Sequence, residues 1–313
     1  MASSRTPRHD VAAAAACLRE GGLVAFPTET VYGLGALATD GRAVARIFTA
    51  KGRPSFNPLI VHVADRAAAE RIAVFDAEAR ALADQFWPGP LTLVLPLRDG
   101  HGLSPLVTAG QPTVAIRVPA AELARTLLHA VDGPVAAPSA NPSGRISATR
   151  TEHVREGLGD RVDMVLDGGP CPVGLESTIL RTGPATLLRE GGLPAEAIEA
   201  ALGHALPRDV TPGRVQAPGQ LASHYAPSAP VRLDVTEAAP DAVLLGFGPV
   251  AGDLSLSPAG DLEEAAANLF DHLHRIDAMA RARGLERIDV APIPEQGLGR
   301  AILDRLRRAA APR

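Results

Sequence analysis

Leu23-Val24-Ala25-Phe26-Pro27-Thr28-Glu29-Thr30-Val31-Tyr32-Gly33-Leu34-Gly35 runs from an apolar strand directly into a polar segment. Leu23–Phe26 reads as a buried strand, because its apolar residues stand together and Pro27 ends the run. Upstream, Asp10 can cap a helix that stops at Gly21-Gly22. Helix, strand and then polar loop is the order of an open α/β sheet, which places its sites just past strand ends. Three more polar segments follow strands in the same way. One is Lys51-Gly52-Arg53-Pro54, continuing through Asn57-Pro58-Leu59 to His62. Another is Arg117, followed at a distance by Ala137-Pro138-Ser139-Ala140-Asn141-Pro142-Ser143-Gly144. The last is Gly174-Leu175-Glu176-Ser177-Thr178-Ile179, followed by Leu188-Arg189-Glu190-Gly191-Gly192.

Working outward, helices are expected at 42–50, 76–86, 120–130 and 194–202. Strands are expected at 59–63, 91–97, 113–118, 162–166, 177–180 and 185–188. Strands outnumber the helices between them, so the sheet is mixed, not purely parallel. The stretch 208–230 is rich in proline and reads as a linker, with an unusual His224-Tyr225 pair inside it. After it come strands at 231–233, 242–247 and 287–291 and helices at 262–280 and 299–309. These form a small Rossmann-like α/β unit. The expected division is therefore 1–207, a catalytic domain; 208–230, a linker; and 231–313, a C-terminal domain. Residues 1–10 read as a short disordered tail.

Bulk composition excludes several classes. The 313 residues carry a net charge of −4, which argues against holding nucleic acid by a broad positive field. Aromatic residues are 3% of the chain, too few for a base-stacking platform. Cys17 and Cys171 show no CxxC spacing, so a reducing compartment fits, and the cytoplasm is the expected location. The Ala-rich stretch at 11–18 reads as an amphipathic helix and not a signal peptide. No apolar stretch is long enough to span a bilayer.

Lys51 is the only lysine beside thirty arginines. A compact ammonium on a flexible stem can follow a moving phosphate where a rigid guanidinium cannot. Chance survival of one surface lysine is the plain alternative. Other motifs carry less. No GxxxxGK[ST] is present, and Ser139 lacks a GxSxG elbow. Gly246-Phe247-Gly248 reads as a tight turn. His272 and His274 read as surface histidines with poor metal geometry. Asp65, Asp76 and Glu78 read as helix-start charges.

Each polar segment could also be an ordinary turn or cap. Arg117 is harder to set aside, because a guanidinium inside an apolar strand needs an anionic partner from the protein or a ligand. Lys51, Arg53, Arg117 and Arg189 could bring four cations to one cleft. Thr30, Ser139, Asn141 and Ser177 could add neutral hydrogen bonds. That set suits a nucleoside triphosphate together with a small carboxylate.

These segments resemble the YrdC/Sua5 family, the threonylcarbamoyl-AMP synthases. The resemblance rests on Lys51-Gly52-Arg53 with Ser139-Ala140-Asn141 downstream, on Pro27–Gly35, and on Asn57-Pro58-Leu59 with His62. It also rests on Phe86-Trp87-Pro88-Gly89-Pro90-Leu91-Thr92 and Ser177-Thr178-Ile179. It spans nearly all of 11–203, and His224-Tyr225-Ala226-Pro227 with the small domain resembles the longer Sua5 branch. The resemblance implies a YrdC-like twisted mixed sheet with flanking helices, followed by the Rossmann-like domain. It implies a nucleotidyltransferase that converts L-threonine, bicarbonate and ATP into threonylcarbamoyl-AMP and pyrophosphate, for N6-threonylcarbamoyl modification of tRNA adenosine 37.

By matching motifs, Lys51, Arg53, Ser139 and Asn141 are expected to be catalytic. Arg53, Asn57, Thr113, Ser139, Ser147, Arg189 and Tyr225 are expected ATP contacts. Thr30, His62, Arg117 and Ser177 are expected threonine contacts, with Arg117 on the carboxylate. Mg²⁺ is expected on the ATP phosphates, with no protein side-chain ligands. Tyr225 is expected to close the linker over the nucleotide as a lid. Gln220-Leu221-Ala222-Ser223 departs from the basic stretch that family linkers often carry there. The expected partners are the three substrates and, transiently, the downstream tRNA threonylcarbamoyltransferase machinery, with weak or no direct tRNA binding. The competing reading is an RNA-binding protein of the same fold without synthase activity. A related carbamoyltransferase or hydrolase would bring zinc-finger and acylphosphatase parts, which two lone cysteines do not supply.

Overall fold

Asp10, Asp40, Asp65, Asp76 and Asp261 each turn a carboxylate back onto free N–H groups of the helix that follows. Each such cap is worth about 1 kcal/mol, and together they set helix starts along the chain. The computed structural model describes residues 10–208, 223–237 and 239–312. The expected tail at 1–9 and the linker stretch 209–222, with Gln220, Leu221 and Ala222, lie outside the described residues.

In chain order the elements begin with α1 (Val11–Arg19), β1 (Val24–Pro27), β2 (Tyr32–Leu37), α2 (Gly41–Lys51), β3 (Ile60–His62), α3 (Arg66–Ile72), α4 (Ala77–Phe86) and β4 (Leu91–Pro96). Next come α5 (Pro105–Thr108), β5 (Thr113–Arg117), α6 (Glu122–Val131), β6 (Val135–Ala136), α7 (Thr151–Leu158), β7 (Met164–Val165), β8 (Thr178–Arg181), β9 (Thr186–Arg189) and α8 (Ala195–Leu202). The last are β10 (Val231–Arg232), β11 (Ala242–Gly246), β12 (Leu254–Ser255), α9 (Leu262–Arg283), β13 (Arg287–Val290) and α10 (Leu298–Ala310).

The first sheet has the order β7-β1-β2-β6-β3-β5-β4-β8-β9 and mixes parallel with antiparallel pairs, as the strand count implied. The second has the order β10-β13-β11-β12 and is parallel throughout, with α9 and α10 packed on it. One correction concerns the opening segment. Tyr32–Leu37 is itself a strand, so Thr28–Val31 is the turn of an antiparallel hairpin with β1. Its glycines had hidden the apolar alternation. The short β6, together with α3, α5 and α7, also escaped the sequence pattern. Phe247 and Val250 exchange backbone bonds, which makes the Gly246–Gly248 stretch a tight turn.

One broad core lies between the first sheet and helices that include α2, α3 and α4, and a second lies beneath α1 and α6. The core of the C-terminal unit takes in Val31, Ile146 and Leu175 from the catalytic unit. The two units therefore share apolar contact at the loops beside the strand ends. Gly174 marks the closest approach: a Cβ there would meet backbone of Ala266 and Ala267 in α9 at 2.4–2.6 Å. Among the described residues, no helix is long and apolar enough to cross a membrane. Cys17 and Cys171 are both free thiols.

Candidate active site

The register of four strands builds the floor of the site. His62 of β3 pairs with Arg117 of β5, and Ile60 with Ala115. Ala115 pairs with Val94 of β4, and Thr92 of β4 with Ile179 of β8. Side chains alternate between faces every second residue, so His62, Arg117, Thr92 and Ser177 project on one face. One step along lies a small apolar cluster of Ile60, Val94, Ala115, Ile179 and Leu188. Thr113 stands on that same face, four residues or about 13 Å along β5 from Arg117. A polar row beside an apolar patch is thus written across β3, β5, β4 and β8.

Arg117 is almost fully buried. Its Nη2 donates to Glu29 Oε1 at 2.5 Å, its Nη1 to Thr30 Oγ1 at 2.8 Å, and its Nε to the Gly89 carbonyl at 3.1 Å. The other Glu29 oxygen accepts from the Ala120 and Ala121 amides at 2.9 and 3.3 Å. Burial raises the Glu29 pKa, but Arg117 outweighs it and holds the carboxyl below its usual range. The sequence left open whether protein or ligand neutralises Arg117. Glu29 of the protein does so, and two of the five guanidinium N–H groups remain for a second anion. Thr30 is oriented by Thr28, whose hydroxyl lies 2.7 Å from both Thr30 Oγ1 and the Val31 carbonyl.

His62 is neutral: burial, and then Arg117, pull its pKa down to about 3. Its Nδ1 is buried and lacks a hydrogen-bond partner. Ser177 Oγ lies 2.7 Å from Thr92 Oγ1 and accepts from Arg189 Nη2 at 3.3 Å, while Arg189 Nη2 reaches the Ser177 carbonyl at 2.7 Å. A β-bulge between Ile179 and Leu180 sets Arg189 opposite Ile179, against the start of β8. Gly191 permits this packing, since a Cβ would lie 2.4 Å from the backbone of Glu176, Ser177 and Thr178.

Arg53 donates to the carbonyls of Asn57 and Pro58, at 3.3 and 2.9 Å, and burial lowers its pKa to about 10. Lys51 takes a different place from the one its charge suggested. Its buried ammonium donates to the backbone carbonyls of Ser139 and, in a very short bond, Asn141. It sits behind the Ser-Ala-Asn loop and fastens that loop to the end of α2. Burial, then repulsion from Arg53, holds the Lys51 pKa well below its ordinary value. Such a group gains from any anion that approaches.

Thr30, Arg53, His62, Arg117, Ser139, Ser177, Arg189 and Tyr225 line one cavity, joined by His224 and Glu176. The free space within it is about 50 Å³, room for a water or two. Larger recesses lie elsewhere, but they bring together few of these groups. Lys51, Asn57, Thr113, Asn141 and Ser147 are not part of the lining. Asn141 Nδ2 closes its own loop onto Pro142 and Arg145, both at 2.9 Å. The Oδ1 atoms of Asn57 and Asn141 are buried without partners. Ser147 is fully buried and donates to Glu176 Oε1 at 2.6 Å.

His224 and Tyr225 form one wall, with their rings 4.1 Å apart edge to face. Tyr225 adopts a left-handed backbone, φ 61, which is strained for an aromatic residue. Burial raises its phenol pKa to about 12 and lowers that of His224 to about 3, so both are neutral.

Three charged residues of the site's ion-pair network were missed. Glu29 and Glu176 lie inside quoted motifs, and the need of Arg117 and Arg189 for anionic neighbours was the signal for them. Arg305 of α10 is completely buried and reaches Glu176 with its Nε at 3.1 Å. It lies on the buried stripe with Ala301, Ile302 and Ala309, the position where a helix is expected to be apolar. His274 also corrects the surface reading: it is half-buried, stacks on His153 at 3.9 Å and lies 3.2 Å from the Ser147 carbonyl.

Two family profiles match the chain. One, Sua5_yciO_yrdC, described as telomere recombination, covers residues 16–191. The other, described as the threonylcarbamoyl-AMP synthase C-terminal domain, covers 193–311. A threonylcarbamoyl-AMP synthase of Pyrococcus abyssi is 42% identical over 323 residues, spanning 95% of this chain and 93% of the relative. One of Bacillus subtilis is 42% identical over 333 residues, spanning 97% and 93%. The crystal structure of P. abyssi Sua5 complexed with L-threonine superposes with a TM-score of 0.87 at 40% identity, covering 98% of this chain and 96% of that one.

Proposed function

The chain belongs to the Sua5/YciO/YrdC family in its two-domain form, and on that premise we propose that it is an L-threonylcarbamoyladenylate synthase. It joins L-threonine, bicarbonate and ATP, releases pyrophosphate, and supplies the threonylcarbamoyl group for tRNA modification. The observation that carries the reading is the single cavity in which Arg53, Arg117 and Arg189 converge beside Thr30, His62 and Ser177.

The reaction needs three anions in one place. The threonine amine attacks bicarbonate and expels water to give a carbamate, and a carbamate oxygen then attacks the α-phosphate of ATP and displaces pyrophosphate. Mutual repulsion opposes that meeting in a dry site unless fixed cations offset it. Arg117, held by Glu29 and Thr30, presents its remaining N–H groups to the threonine carboxylate. Thr30, His62 and Ser177 surround the rest of that substrate, and the free His62 Nδ1 offers an acceptor for a substrate N–H or O–H. Arg53 and Arg189 face the phosphates. Lys51 keeps the Ser139–Asn141 loop in register and responds to the charge that develops as pyrophosphate leaves. The apolar patch of Ile60, Ala115 and Leu188, with Thr113 beyond it, gives the nucleotide a surface to lie on. Ser147 acts from behind, through Glu176.

Glu29 and Glu176 are both committed to arginines, and no group of three metal-ligating His, Cys, Asp or Glu side chains occurs among the described residues. A Mg²⁺ ion would be held by the ATP phosphates and water, since the partnerless amide oxygens of Asn57 and Asn141 are buried outside the cavity lining. When bound, that ion supplies neutralisation of phosphate charge. A cavity of this size admits substrates only if a wall moves, and His224-Tyr225 is the wall that belongs to the connecting segment. We assign it the role of lid. Two free thiols and the tRNA-directed product fit a cytoplasmic setting, where the tRNA threonylcarbamoyltransferase machinery takes up the product.

The test is pyrophosphate release from purified protein with ATP, L-threonine and bicarbonate, each withdrawn in turn. Release that requires all three is expected. Absence of release, with tight tRNA binding at moderate salt, would replace the enzyme with an RNA-binding protein.

A further inference from the structure

Phe56 is the aromatic side chain that this fold leaves in water. Among the described residues every other Phe, Tyr and Trp is buried or half-buried, whereas Phe56 is 58% exposed. A lone surface hydrophobe needs no explanation by itself. The place of Phe56 does, because it stands between Arg53 and Asn57, two residues expected at the nucleotide.

Local geometry ties the ring to the cavity. The Asn57 amide donates to the Pro54 carbonyl at 3.2 Å, which closes a four-residue turn with Phe56 third in it. Arg53 grips the end of that turn, donating from Nε to the Asn57 carbonyl and from Nη2 to the Pro58 carbonyl. The same residue lines the cavity. Phe56 is thus carried by a turn pinned to a phosphate-facing cation. Strand register gives the direction. Ile60 of β3 pairs in parallel with Ala115 of β5, so Pro58 and Thr113, two residues upstream of each, stand at the same end of the floor. Toward that end lies the apolar patch that includes Ile60, Ala115 and Leu188. A purine is flat and apolar on its faces, so it belongs here, beyond the phosphates and away from the buried arginines.

We propose that Phe56 is a nucleobase-binding residue, its exposed ring forming a stacking face for the adenine of ATP at the Thr113 end of the site. The inference rests on the ATP reading given above and adds the group that takes the base. Stacking uses the π face that every base has, so Phe56 favours a nucleotide over bare phosphates without choosing among purines.

The experiment uses the full chain and calorimetry with Mg²⁺ present, comparing ATP, inorganic tripolyphosphate and L-threonine. In Phe56→Ala, ATP affinity should fall about tenfold, the size expected for one base–aromatic stack. Tripolyphosphate and threonine affinities should stay within about twofold, since neither ligand carries a base. Phe56→Trp keeps a π face and should hold ATP within about threefold of wild type. In that variant ATP, but not tripolyphosphate, should quench the fluorescence of the added indole. Unchanged ATP affinity in Phe56→Ala overturns the proposal. An equal loss for tripolyphosphate also overturns it, because Phe56 would then only support Arg53. So does a tenfold ATP loss, or an unquenched indole, in Phe56→Trp. Wild-type protein that binds no ATP overturns the nucleotide reading itself.

Discussion

Glu29→Gln is an isosteric change that the geometry makes severe. The Glu29 carboxylate faces donors on both sides, Arg117 Nη2 at one oxygen and the Ala120 and Ala121 amides at the other. A glutamine has one acceptor and one donor end, so either orientation sets its NH₂ against another donor. The pair is buried, with side chains 4% and 9% exposed, and removing one partner of such a pair costs about 3–5 kcal/mol. For a unit of this size that corresponds to roughly 6–20 °C in Tm. Arg117 also loses the partner that aims it, and a misplacement of about 1 Å at a positioning group costs on the order of 10²-fold, here expected in threonine affinity. The pH dependence carries its own signature. Glu29 has a folded pKa below its ordinary 4.5, so its stabilisation is full above that value and is lost as pH falls through the folded pKa. The gap between wild type and variant should therefore be constant near neutrality and narrow below about pH 4.5. Thermal unfolding across pH and threonine calorimetry measure both. A variant as stable as wild type at pH 7, with unchanged threonine binding, would refute the role given to this pair.

Lys51→Arg forces a planar guanidinium into the space between the Ser139 and Asn141 carbonyls, and overpacking there costs about 1–3 kcal/mol. Pyrophosphate release should drop at least about tenfold as the loop shifts, and full turnover would remove the case for lysine at this position. Gly191→Ala drives a Cβ into the backbone before β8 and should lower urea stability by about 1–3 kcal/mol while weakening both substrates; wild-type stability would show that the β8–β9 contact yields. Tyr225→Ala removes the aromatic wall of the cavity and should weaken ATP by about 2 kcal/mol, or roughly 30-fold, with threonine little changed; equal weakening of both would count against the lid.

The sequence marked the polar segments because each holds small hydroxyls, amides or cations beside or inside an apolar strand, where a buried polar group needs a partner. Thr30, His62, Arg117 and Ser177 were singled out in that way, while the link of Lys51 to Ser139 and Asn141 came from the family resemblance and was found as backbone hydrogen bonds, with Arg53 instead on the Asn57 and Pro58 carbonyls. The hairpin turn at Thr28–Val31 was not, since Gly33 and Gly35 mask the alternation of β2. The carboxylates were present in the quoted motifs but silent, because a sequence does not say which buried arginine an acid will meet.

The chain by itself indicated most of the longer helices and strands and the side-chain chemistry at the strand ends, since these follow from periodicity, capping and composition within short windows. Tertiary structure alone decided the rest. Strand register aligned His62 with Arg117 across two strands, and a bulge brought Arg189 to Ser177. Packing turned Lys51 inward onto the loop and brought Arg305 across 129 positions to Glu176. These are contacts between distant segments in a dry interior, where each buried charge must find its partner in space and local sequence does not specify which one.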